Sequence, residues 1–122
     1  MLASPAAPAT NMSTTNTLVA LCPAADIPEG RGFQVVTDTL AVAVFKVGDR
    51  YYVIDDACTH GPGLLSEGEV DGDIVECNFH SGAFNICTGA VAGPPCMIPI
   101  RTYYTVVRDG QVLIDPDRPA EP

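Results

Sequence analysis

A chain with only two histidines places each of them close behind a cysteine, in Cys58-Thr-His60 and in Cys77-Asn-Phe-His80. Thiolates and neutral imidazoles are ligands for zinc, copper and iron, and two of each from two segments complete a four-ligand set for one cofactor. Two chemistries compete for that set. One is tetrahedral zinc, for which Cys2His2 is a common complement. The other is a 2Fe–2S centre in which histidines replace two of the four cysteines on one iron. A zinc finger usually draws two cysteines from one run and two histidines from the other. Here each run supplies one of each, the division expected if each iron takes one ligand from each loop. A zinc-stabilised module stays as the alternative, as does a metal-free interaction module.

The elements that must position these residues are β-strands. Thr17–Cys22 and Phe33–Thr37 are strand candidates on either side of a Pro/Gly-rich loop. Leu40–Val47 leads through Gly48-Asp49-Arg50 into Tyr51–Ile54, and Thr102–Val107 leads through Arg108-Asp109-Gly110 into Gln111–Ile114. Both read as hairpins, with Asp-Gly the stronger turn signal. Ile74–Cys77 and Ala83–Ile86 are shorter and bracket the second motif. No stretch keeps a helical period over ten residues, so the class is all-β. Tyr51, Tyr52, Tyr103 and Tyr104 fall within strands and read as sheet residues. Cys22, Cys87 and Cys96 read as thiols in or near the core rather than as a regulatory disulfide.

Fifteen acids against six bases give a formal charge of −9. That balance excludes nucleic acid and anionic membrane surfaces, which reward a basic face, and suits docking on basic partners. The charge is uneven. Between Arg50 and Arg101 there is no Lys or Arg, whereas Asp55, Asp56, Glu67, Glu69, Asp71, Asp73 and Glu76 all lie there. As a set around the motif these acids read partly as a solvated face and partly as a steering field. The longest clearly apolar run, Leu40 to Phe45, is far short of the twenty or so residues that span a bilayer. Residues 1–17 lack the basic start and apolar core of a secretory signal, and Met12 reads as a second start. The location expected from these features is the cytoplasm, where cysteines stay reduced or bind metal.

Cys58-Thr-His60-Gly61-Pro62-Gly63 and Cys77-Asn-Phe79-His80-Ser-Gly-Ala-Phe84-Asn, followed by Thr88-Gly89 and Gly93-Pro94-Pro95, resemble the Rieske-type 2Fe–2S ferredoxins of bacterial ring-hydroxylating dioxygenase systems. The likeness runs from about Leu18 to Ile114. It implies an antiparallel β-sandwich base with an inserted cluster-binding subdomain. It also implies one 2Fe–2S cluster, with Cys58 and Cys77 on the buried iron and His60 and His80 on the outer, redox-active iron. The electron-transfer and docking surface it implies is His60, His80, Gly61, Pro62, Phe79, Pro94 and Pro95. Partners would be a flavoprotein ferredoxin reductase and a terminal oxygenase, with the carrier a monomer.

Two departures place the chain within that family. Relatives in respiratory and photosynthetic complexes carry an extra Cys in each loop, joined in a disulfide; here Gly63 and Phe79 stand there. Phe84 occupies the place of a Tyr that donates a hydrogen bond to ligand sulfur. Fewer donors and nearby acids disfavour the added electron, so the expected potential is near the low end of the Rieske range, about −150 mV. A catalytic oxygenase would need a second iron, usually on two histidines and a carboxylate, and the cluster already uses both histidines. The expectation is an electron carrier, not an enzyme. Its organisation would be a disordered extension over residues 1–17, a Rieske domain over 18–115 with the cluster-binding part near 57–88, and a flexible tail over 116–122.

Overall fold

The computed structural model describes residues 18–59, 63–77, 82–93 and 98–120. Ten strands are present among them: β1 Val19–Pro23, β2 Phe33–Val36, β3 Ala41–Val47, β4 Arg50–Asp55, β5 Glu69–Asp71, β6 Ile74–Glu76, β7 Ala83–Asn85, β8 Val91–Gly93, β9 Thr102–Arg108 and β10 Gln111–Asp115. Two single 3-10 turns, Ala24–Asp26 and Leu65–Glu67, are the helical content of the described residues. The strands form a six-stranded sheet in the order β1-β10-β9-β4-β3-β2 and a four-stranded sheet in the order β5-β6-β7-β8. Every pairing between these strands is antiparallel. The all-β architecture expected from the sequence is present.

Tight turns set the registers. Val47 faces Arg50, leaving Gly48 (φ +64°) and Asp49 as a two-residue link; Asp71 faces Ile74 across Gly72 (φ +62°) and Asp73. A positive φ at the first central residue is the mark of a type II′ hairpin. Arg108 faces Gln111 across Asp109 (φ +55°) and Gly110 (φ +76°), the two positive angles of type I′. Both types carry the right-handed twist that the strands need. The middle hairpin adds β5, a strand the sequence reading passed over, and β8 is a second such addition.

Strand β9 serves both halves of the large sheet. Tyr104–Arg108 pair with β10, whereas Thr102 and Tyr103 pair with β4. The two halves enclose one core: Cys22, Ile27, Val42, Val44, Val53, Tyr103, Val112 and Ile114. This is the sandwich base. A second core joins it to the small sheet: Ala43, Phe45, Ile54, Cys58, Leu65, Val75, Cys77, Phe84, Ile86 and Ile100.

The hairpin of β3 and β4 is the wall between the cores. Alternate side chains of a strand point to opposite faces, so Val42, Val44 and Val53 enter the base while Ala43, Phe45 and Ile54 enter the second core. That double burial explains why Val42–Phe45 is continuously apolar rather than alternating. The chain beyond β10 returns to the sheet: Tyr104 donates its N–H to the Arg118 carbonyl (3.0 Å) and Ala120 donates to Thr102 Oγ1 (3.0 Å). Among the described residues no helix is long and apolar enough to cross a membrane.

Candidate metal centre

Both cysteines of the motif stand at the necks of loops, and the necks are built alike. In the first, Leu65 donates its N–H to the Asp56 carbonyl (2.8 Å), Ala57 and Leu64 form an antiparallel bridge, and Cys58 donates to the Gly63 carbonyl (3.1 Å). In the second, Glu76 pairs with Ala83 and Cys77 donates to the Gly82 carbonyl (2.6 Å). Each cysteine thus closes its loop with a bond to the carbonyl five residues on. Cys58 and Cys77 are 6% and 4% exposed and belong to the same apolar core.

Two buried thiols at the mouths of two like-built loops fit a metal centre held between those loops. Thiolate needs such a partner when it is buried away from water. Leu65, Phe84 and Ile86, each fully buried, belong to the same core and keep water from its interior. Phe84 lies in the same core as both cysteines, so the missing hydroxyl is a feature of the site itself. Gly63 has φ +141°, an angle that strains any residue with a Cβ. A Cys at that position, as in the disulfide-bearing relatives, would strain this backbone. His60, Gly61, Pro62, Phe79, His80, Pro94 and Pro95 lie outside the described residues.

A third segment joins the first loop to the turn that follows β7. Thr59, between Cys58 and His60 of the first motif, donates its hydroxyl to the Ile98 carbonyl (2.8 Å). Two residues on, Ile100 donates to the Gly89 carbonyl (2.9 Å), and Arg101 accepts from the Asp55 N–H (3.0 Å). Gly89 follows a turn capped by Asn85, whose Oδ1 accepts from the N–H groups of Cys87 (2.9 Å) and Thr88 (3.0 Å). Ile98 is 62% exposed, an uncommon state for a β-branched apolar side chain, and it sits beside the first loop. The sequence reading did not select it, because an Ile three residues past a Gly-Pro-Pro run gives no local sign of exposure.

The acids divide in a way the sequence does not reveal. Glu67, Glu69, Asp71, Asp73 and Glu76 are exposed, and Glu69 stands directly across from Glu76 in the small sheet. Asp55 and Asp56 do not belong to that solvated set, which corrects the reading of seven steering acids. Asp55 is half-buried and accepts a 2.5 Å hydrogen bond from the Tyr103 hydroxyl. Burial first, and then Asp55, raise the Tyr103 hydroxyl far above the usual tyrosine range. Asp56 is fully buried.

The remaining thiols have plain settings. Cys22 is buried in the base core, where burial ahead of the Asp26 charge raises its pKa. Cys87 is half-buried beside Tyr52 and raises that hydroxyl's pKa. Cys96 lies outside the described residues. All four tyrosines are strand residues, as expected.

Comparison with known proteins agrees with this geometry. A family model described as the Rieske [2Fe-2S] domain matches residues 17–104. The ferredoxin CarAc of Metapseudomonas resinovorans is 44% identical over 95 residues, which are 77% of this chain and 89% of that protein. The biphenyl dioxygenase ferredoxin subunit of Pseudomonas sp. (strain KKS102) is 39% identical over 105 residues, 85% of this chain and 96% of that protein. Among solved structures, a ferredoxin of Sphingomonas yanoikuyae B1 superposes with a TM-score of 0.77 at 43% identity, covering 80% of this chain and 96% of that one. A ferredoxin solved in complex with the oxygenase of carbazole 1,9a-dioxygenase gives 0.79 at 40% identity, covering 86% and 98%.

Proposed function

The chain belongs to the Rieske [2Fe-2S] domain family, and on that premise we propose that it takes electrons from an NAD(P)H-dependent flavoprotein reductase and passes them to a terminal Rieske non-haem iron oxygenase acting on aromatic rings. It is a ferredoxin, an electron-transfer component carrying a Rieske-type 2Fe–2S cluster rather than a catalyst. The partner assignment is supported above all by the near-complete coverage of dioxygenase ferredoxins, one of them solved against its oxygenase. The reductase follows from the chemistry: a one-electron carrier needs a donor able to split the electron pair of a nicotinamide, which flavins do.

Cys58 and Cys77 would hold one iron and His60 and His80 the other, the bound cluster supplying a one-electron couple. The chain itself contributes three things. Its two neck bonds fix the cysteine backbones. The buried Leu65, Phe84 and Ile86 keep water from the thiols. The exposed Glu67, Glu69, Asp71, Asp73 and Glu76 lay a negative field over the same sheet, which speeds encounter with a basic partner. Residues 57–88 act as the cluster-binding part of a domain spanning 18–115, and the cytoplasm, where reduced nicotinamide is available, is the location this function needs.

The test is an assay of NADH-driven electron delivery with the purified reductase and oxygenase candidates, repeated at rising ionic strength. Turnover that requires this protein and falls with salt supports the reading. Turnover that proceeds equally without it removes the carrier role. Cys58→Ser and His80→Ala should each abolish the visible cluster spectrum, and a full native spectrum in either would refute the ligand set.

A further inference from the structure

Asp56 is 0% exposed, the deepest burial of any charged residue among those described. Its Oδ1 accepts the Ser66 N–H (2.8 Å) and its Oδ2 accepts the Gln34 side-chain amide (2.7 Å). Its backbone is engaged as well, donating to the Ala41 carbonyl (3.1 Å) and accepting from Leu65 (2.8 Å). These partners come from three places: β2, the start of β3, and the 3-10 turn that ends the first ligand loop. The turn is pressed tightly on the base. A Cβ at Gly32 would come within 2.7 Å of the Ser66 Cα and 3.0 Å of the Phe45 ring. A buried carboxylate is costly unless it is fully hydrogen-bonded, so a chain that keeps one here spends stability on a specific arrangement.

We propose that Asp56 is a positioning residue of the cluster site: its buried carboxylate latches the first ligand loop to β2 through Gln34 and sets a fixed negative charge behind Cys58 that opposes reduction. Two residues of chain place the Asp56 and Cys58 Cα atoms at most about 7 Å apart, and both residues are buried. A buried charge is screened less than an exposed one. The two roles use the same hydrogen bonds, because donors from Gln34 and Ser66 both hold the carboxylate and partly neutralise it. The proposal rests on the cluster alone and on neither partner.

The test uses the purified protein with its cluster, without reductase or oxygenase. Asp56→Asn keeps the shape and removes the charge; the Gln34 amide can turn over to accept from the new donor, so the latch survives. Its midpoint potential should rise, favouring the reduced form about tenfold, or 59 mV for one electron. Gln34→Ala keeps the charge and removes one donor at an exposed strand position. Its potential should fall, and its cluster absorbance should decay several times faster in the presence of an iron chelator. Potentials equal to the unaltered protein in both variants overturn the charge role. A Gln34→Ala decay rate equal to that of the unaltered protein overturns the latch. If Asp56→Asn assembles no cluster, the two readouts on Gln34→Ala decide alone.

Discussion

The Thr59 hydroxyl donates a 2.8 Å hydrogen bond to the backbone carbonyl of Ile98, joining the first ligand loop to the segment that follows Gly93-Pro94-Pro95. Since Ile100 also bonds to Gly89, residues 98–100 act as a strap between the first loop and the turn after β7. Thr59→Val keeps the shape and loses the bond. It should lower the unfolding free energy of the cluster-loaded protein by about 1 kcal/mol and quicken bleaching by chelator. Thr59→Ser should restore both, and denaturant titration followed at the cluster absorbance reads them.

Tyr103 ties β9 to Asp55 at the end of β4, and burial, aided by Asp55, holds its pKa above the usual tyrosine value. The folded protein therefore keeps this proton where the unfolded chain would lose it. The contribution is complete below the unfolded value of about 10 and is lost as pH rises beyond it. Cys22, also raised by burial, acts in the same direction from its ordinary value of 9.0 upward. Stability should fall steeply on the alkaline side. Tyr103→Phe should flatten that fall and cost about 1–3 kcal/mol at neutral pH, as measured by denaturant midpoints across pH 8 to about 11.

Gly89 has φ +79°, and a Cβ there would collide with the Ile100 carbonyl and the Thr102 methyl. Gly89→Ala combines left-handed strain with a backbone clash, so a loss of about 2 kcal/mol or more is expected. Because the Gly89 carbonyl anchors the strap by accepting from the Ile100 N–H, the variant should also shed its cluster faster. A thermal melt unchanged from the parent would refute the close approach.

Phe84 shares the core of both motif cysteines and is fully buried. Phe84→Tyr adds a hydroxyl whose best acceptor in that apolar setting is ligand sulfur. A hydrogen bond to sulfur favours the reduced cluster, so the midpoint potential should rise. A potential that stays put would show that the hydroxyl reaches another acceptor.

The motif, the cofactor class and the main hairpins were legible in the chain because each depends on neighbours in sequence. Cys58 and Cys77 each need only their own loop, and Asp109-Gly110 or Gly48-Asp49 specify a turn wherever they stand. Strand β5 was missed although Gly72-Asp73 carries the same turn signal, since three residues hold too little alternation to mark a strand. Strand β8 exists only because β7 is beside it. His60 and His80, with the surface residues Gly61, Pro62, Phe79, Pro94 and Pro95, lie outside the described residues, so their reading rests on sequence and family.

What the sequence determined by itself is the cofactor class, the all-β class and the negative charge, because residue type and spacing carry them. Tertiary structure decided which of the acids would face water. Asp55, Asp56 and Glu67 are alike in the chain, yet one is half-buried against a tyrosine, one is fully enclosed by amide donors, and one is exposed. It also decided that Val42–Phe45 would be buried on both faces, with Ala43 and Phe45 supporting the cysteines while Val42 and Val44 fill the base. Burial is a relation between segments distant in sequence, and it comes into being only when β2, the 3-10 turn and the β3–β4 wall meet.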